Sequence, residues 1–126
     1  MTEISGKAAV VTGGGSGIGM GLAKELARQG ASVAVADIKL ENAQRVADEI
    51  MAAGGKAVAL ECDVCERDSI RAMKEAAVAA LGPIQLVFAN AGAASFDALM
   101  AMSDDGVDWI VQVNLVGVMW TTRALL

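Results

Sequence analysis

Histidine is absent from the 126 residues and cysteine is scarce, confined to Cys62 and Cys65. A zinc site takes about four ligands, so without imidazole or a third thiol no metal centre is expected. The C-x-x-C spacing leaves a redox dithiol open as a reading from spacing alone. The pair brackets Asp63-Val64 at an apparent strand-to-helix junction, and free thiols in a reducing compartment are the expectation. Basic residues are in deficit as well: 10 Lys and Arg face 15 Asp and Glu, a net charge of −5, and no stretch of chain gathers them. A phosphate backbone or an anionic membrane surface would find nothing to hold, which argues against both as partners.

Long uninterrupted apolar runs are also missing. Val107 to Leu126 has the length, about twenty residues, that spans a bilayer. Asp108, Gln112, Asn114 and Arg123 interrupt it, and hydrocarbon would penalise each of them. A buried or interface helix is expected there. Met1-Thr2-Glu3 offers neither the basic start nor the apolar stretch of a secretory signal, so the chain reads as cytoplasmic. Aromatics are only 3% of a chain that is 55% apolar, so the core must be built largely from small aliphatic side chains. That suits helices packed closely on a buried sheet. No repeat or low-complexity linker divides the chain, and residues 1–126 read as one domain.

What is present is an alternation. Ala8–Val11, Val33–Ala36, Ala57–Leu60 and Ile84–Phe88 are short, nearly unbroken apolar runs, as expected of strands covered on both faces. Between them the period is helical. Ala43, Val46, Ala47, Ile50 and Met51 fall on one face, with Glu41, Arg45, Asp48 and Glu49 opposite. Ile70, Met73, Ala77 and Leu81 repeat the pattern and end at Gly82-Pro83, while Ile18, Leu22 and Leu26 precede a stop at Gly30. A final helix is expected from about Asp105. Strand and helix in strict turn imply an α/β fold with a parallel, doubly wound sheet and right-handed crossovers.

The densest signal follows the first strand, where Gly13, Gly14, Gly15, Gly17, Gly19 and Gly21 crowd together. Side-chain-free backbone between a strand and a helix lets peptide N–H groups approach a pyrophosphate, and the helix N-terminus adds partial positive charge. The spacing is G-x-x-x-G-x-G, at Gly13, Gly17 and Gly19, rather than the commoner G-x-G-x-x-G. Asp37, ending the second strand, stands at the offset where an acid contacts the adenosine ribose of a dinucleotide. Its charge would repel the 2′-phosphate of NADP, and Ser16 brings no positive charge to offset this, so NAD is the expected cofactor.

Thr12-Gly13-x-x-x-Gly17-Ile18-Gly19, Asp37, Asp63-Val64, Asn90-Ala91-Gly92 and Asn114 within Asn-Leu-Val-Gly occur in an order that resembles the short-chain dehydrogenase/reductase family. The resemblance covers essentially the whole chain and implies a Rossmann-type sheet with strand order 3-2-1-4. It implies that Gly13, Ser16, Gly17, Ile18 and Gly19 surround the pyrophosphate, with Asp37 on the ribose and Asp63 and Val64 beside the adenine. The bland reading of Asp63 is a helix N-cap ahead of Glu66. Asn90, Ala91 and Gly92 would border the nicotinamide ribose, although Ala89 stands where the family has a further Asn. Asn114 matches the residue that kinks the long helix and holds a water in the proton relay, and is the one catalytic candidate.

The family transfers hydride between nicotinamide and an alcohol or carbonyl carbon, using a Tyr, a Lys and a Ser for the substrate oxygen and its proton. These 126 residues contain no Tyr. The expectation is the cofactor-binding half of a longer enzyme acting on a small alcohol or carbonyl compound, forming homo-oligomers through the last helix. A non-catalytic NAD-binding or subunit-association module is the alternative. A different Rossmann binder, such as a methyltransferase or epimerase, is disfavoured by Asn114 in its setting.

Overall fold

The computed structural model describes residues 3–126. Four strands, β1 (Ala8–Thr12), β2 (Ser32–Asp37), β3 (Lys56–Glu61) and β4 (Leu86–Phe88), form a parallel sheet in the order β3-β2-β1-β4. Helices α1 (Gly17–Arg28), α2 (Leu40–Ala52) and α3 (Arg67–Leu81) make the crossovers, and α4 (Asp104–Val111) and α5 (Gly117–Leu125) follow β4. The topology is the doubly wound one expected from the alternation. In register, Val10 lies beside Ala34 and Val87, and Val11 beside Val35 and Phe88.

Period-2 alternation divides the core in two, because successive side chains leave a strand on opposite faces. Ala9, Val11, Val33 and Val35 meet Ala23 and Leu26 of α1 and Ala43, Val46, Ala47 and Ile50 of α2. Val10, Ala34 and Ala36 meet Ile70, Met73 and Ala77 of α3 and Leu125 of α5. Alanines on the sheet and helices keep the layers close, as the shortage of aromatics requires. Helix α1 ends where glycine permits it. Gly30 takes φ +96°, its N–H bonds Ala27 O, and the Ala31 N–H reaches back to Leu26 O, the paired bonds of a left-handed helix stop.

Several boundaries differ from the sequence expectation. Strand β4 begins at Leu86, since Ile84 and Gln85 leave the ladder. Gln85 replaces it with a side chain: its N–H donates to Ala8 O at 3.0 Å while its Oε1 accepts from Ala8 N–H at 3.1 Å. Asp63 does not cap α3. Its Oδ1 accepts from the Cys65 N–H at 2.9 Å, the Glu66 N–H bonds Asp63 O, and the helix starts only at Arg67. A short aspartate side chain satisfied two residues on closes its own turn and cannot reach the helix N-terminus. The last helix starts one residue earlier than expected, at Asp104, capped by Ser103 Oγ, which accepts from the Gly106 N–H. A π-helical turn, Gln112–Val116, joins α4 to α5. No helix among the described residues is long and apolar enough to cross a membrane.

Candidate functional site

In an open parallel sheet the ligand crevice lies beyond the carboxyl ends of the strands, where successive connections leave in opposite directions. Here that point is β1, flanked by β2 on one side and β4 on the other. The loop Gly13–Ser16 leaves it at once, and its geometry explains the glycines. Gly13 has φ +66°, and a Cβ there would stand 2.9 Å from Ala91 Cα. A Cβ on Gly19 would overlap the Gly13 carbonyl oxygen. The first turn of α1 therefore lies against the loop.

Side chains from the neighbouring strands fix that loop. The Gly14 N–H bonds Ala36 O at 3.0 Å. Asp37 accepts from the Gly15 N–H through Oδ2 at 2.9 Å and from the Lys39 N–H through Oδ1 at 3.0 Å. Each carboxylate oxygen keeps a second lone pair for a further donor. On the other side Asn90 Nδ2 donates to Thr12 O at 3.0 Å, and the Ala91 N–H donates to Thr12 Oγ1 at 3.1 Å. Asn90 thus ties the ends of β1 and β4 together without help from Ala89.

These groups enclose one cavity of about 590 Å³, within the range of small-ligand and cofactor sites. It is lined by Gly13, Ser16, Gly17, Ile18, Gly19, Asp37, Asp63, Val64, Asn90, Ala91 and Gly92, so every cofactor-binding candidate from the sequence reaches it. Ile38, Trp109 and Val113 line it as well. Ile18 is 83% exposed, an apolar side chain left open on the first turn of α1. Asn114 does not line the cavity. It lies in the π-helical turn, where its Oδ1 accepts from the Ala93 N–H and its Nδ2 donates to Ala93 O. It therefore touches the cavity's lining only through Ala93, in the irregular segment that follows β4.

Cys62 and Cys65 also face this cavity, and both are free thiols. Burial pushes the Cys62 thiol up to about 11, and burial with the nearby Asp63 charge raises Cys65. Both are protonated near neutrality, which makes them poor nucleophiles and poor redox partners. They serve as small apolar wall.

The family model for short chain dehydrogenase matches residues 7–126. The chain belongs to the short-chain dehydrogenase family. It is 42% identical over 120 residues to cyclohexanol dehydrogenase of Acinetobacter sp. strain SE19, covering 94% of this chain and 48% of that protein. Versicolorin reductase 1 of Dothistroma septosporum is 38% identical over 122 residues, covering 96% and 46%. Among solved structures, a short-chain dehydrogenase/reductase from Mycobacterium marinum superposes with TM-score 0.93 at 39% identity, over 98% of this chain and 48% of that one. A Burkholderia phymatum short-chain dehydrogenase/reductase solved in complex with NAD gives TM-score 0.94 at 34% identity, over 98% and 44%. The chain spans about half the length of the curated relatives it matches.

Arg45 is not legible in the sequence as a support of the glycine loop. It sits on the polar face of α2, where periodicity alone marks a solvated residue. In the fold it turns back and donates from Nη2 to Gly15 O at 3.3 Å. Gly15 is thereby held from both sides, by Asp37 at its N–H and by Arg45 at its carbonyl.

Proposed function

We propose that this chain is the cofactor-binding half of an NAD-dependent oxidoreductase that moves hydride between nicotinamide and the carbon of a small alcohol or carbonyl compound. The observation that carries the reading is the single cavity joining the glycine loop, Asp37 and the Asn90-Ala91-Gly92 segment at the carboxyl ends of the strands. A dinucleotide fits this donor set, because the loop and α1 present N–H groups and Asp37 retains lone pairs for ribose hydroxyls. A Cβ at Gly13 would press on Ala91 and one at Gly19 on the Gly13 carbonyl, so bare backbone is what lets the loop and α1 close up in this shape.

NAD, when bound, supplies the hydride acceptor or donor. Gly13, Ser16, Gly17, Ile18 and Gly19 hold its pyrophosphate, Asp37 takes the adenosine ribose and opposes a 2′-phosphate, and Asp63 and Val64 border the adenine. Asn90, Ala91 and Gly92 border the other ribose, and Asn114 sets the position of Ala93 just beyond them. The group that exchanges the substrate proton belongs to parts of the protein outside these residues, which contain neither Tyr nor His. The face of the last helix carrying Val111, Leu115 and Met119, all exposed, is the surface for pairing with a second subunit, and the protein works in the cytoplasm.

Titration calorimetry on the full-length protein tests this reading. NAD should bind saturably, NADP more weakly, and Asp37→Ala should weaken NAD by about ten- to a hundredfold, the worth of hydrogen bonds to a charged group. No heat with NAD, or unchanged affinity in the variant, would defeat it.

A further inference from the structure

A second concave surface lies on the sheet face opposite α1 and α2, between α3 and α5. It is a groove of about 370 Å³, floored by Ile70 and Ala124 and walled by Trp120. Arg67, Arg71 and Lys74 come from one face of α3 at i, i+4 and i+7, and Arg123 comes from α5. Four of the chain's 10 Lys and Arg therefore converge on one groove of a molecule whose net charge is −5. Glu75 is the sole acid lining it. The sequence hides this cluster, because Arg123 joins the others only when α5 packs beside α3.

The cations are arranged rather than scattered. Arg67 stands over the Trp120 ring, 5.0 Å from its centroid, an arrangement that holds a guanidinium in place without consuming its hydrogen bonds. Arg71 is paired with Asp68 at 2.9 Å. Among the described residues, Arg67, Lys74 and Arg123 have no carboxylate within ion-pair distance. Like charges gathered in a cleft over an apolar floor raise the local potential and cost stability unless an anion shares the space. A volume of this size admits a small molecule.

We infer that this groove binds a small multivalent anion carrying two or more phosphate or carboxylate groups, at a site separate from the dinucleotide cavity. None of its lining residues lines that cavity, so the inference stands apart from the proposed oxidoreductase function.

The test is calorimetry on the full-length protein with inorganic pyrophosphate and, in a parallel arm, citrate. NAD is present at saturation to keep pyrophosphate out of the glycine loop. At least one probe should bind saturably, and which one does distinguishes phosphate from carboxylate. Lys74→Gln with Arg123→Gln should weaken that binding by about tenfold or more, as expected for lost charge-assisted hydrogen bonds, and leave NAD affinity unchanged. Both side chains are exposed, so the variant should fold; Arg71→Gln, checked by circular dichroism, gives an independent second variant. Absence of saturable binding, or binding that these variants leave intact, overturns the inference. Binding of a hexaglutamate peptide with neither small probe bound overturns it in favour of an acidic protein partner.

Discussion

Asn114 grips Ala93 at both of its main-chain polar groups, accepting from the N–H at 2.8 Å and donating to the carbonyl at 2.7 Å. A two-point clamp of this kind fixes orientation as well as distance, and it fastens the segment after β4 to the π-helical turn. Asn114→Ala should therefore destabilise by roughly 1–3 kcal/mol and speed exchange of the Ala93 amide. Asn114→Asp places an oxygen against the Ala93 carbonyl and should be worse at neutral pH, recovering in acid as the carboxyl regains a proton to donate. Chemical denaturation of both variants across pH checks this; two variants with the same pH-independent loss would contradict it.

The glycine loop separates two costs. Gly17 has φ +54° with no atom within 4 Å of an added Cβ, whereas the Cβ of Gly19→Ala would collide with the Gly13 carbonyl. Gly17→Ala should cost about 1–2 kcal/mol from backbone strain alone. Gly19→Ala should cost more, about 3 kcal/mol, because main chain must shift to admit the methyl. Urea midpoints of the two variants give the comparison, and equal losses would show that α1 does not lie as close to the loop as described.

Asp37 and Arg45 hold opposite sides of Gly15 and should differ in consequence. Arg45→Ala frees the carbonyl only and should lower NAD affinity by roughly three- to tenfold, the worth of one charged hydrogen bond acting at a distance. It should leave the preference for NAD over NADP in place. Asp37→Ala should weaken NAD and erase the preference. Titrating each variant with both nucleotides decides the matter: lost discrimination in the arginine variant would mean that Arg45, not Asp37, reads the ribose.

Cys62 makes stability depend on alkaline pH. Desolvation holds its thiol at about 11 against an ordinary 9.0, so the folded chain keeps the proton more tightly than the unfolded one. The contribution is fully present below about pH 9 and is lost as pH rises through 11. The stability difference between the parent and Cys62→Ala should accordingly shrink by roughly 2 kcal/mol between about pH 8.5 and pH 11. A difference that stays constant would mean that the thiolate is solvated in the fold.

Much of the architecture is legible in the residues because its causes are local. Apolar runs such as Ala8–Val11 alternate with amphipathic stretches such as Ala43–Met51, and that alternation dictates parallel strands and crossovers. Most positions that gather at the cavity are legible for the same reason, since they sit in the segments that follow the strands; Trp109 and Val113, on α4 and the π-helical turn, are not. The features that escape are those in which a side chain does a backbone's work. Gln85 substitutes for a rung of the ladder to Ala8, Asp63 closes a turn instead of capping a helix, and Arg45 leaves its polar face to reach Gly15. Nothing in hydrophobic period encodes such long-range bonds, and the cationic groove of Arg67, Lys74 and Arg123 likewise exists only after two helices are side by side.

The wide turn at Gln112–Val116 closes with the Gly117 N–H on Gln112 O. Downstream, Gly117, Thr121 and Leu125 continue the buried row begun by Val113. Winding the same residues into an uninterrupted α-helix, with none deleted, would swing everything after the turn by about 100°. Leu125 would then face water and Arg123 would lose its place beside α3. The local irregularity thus works as a phase setting, and a fully regular helix of the same residues would be the poorer fit.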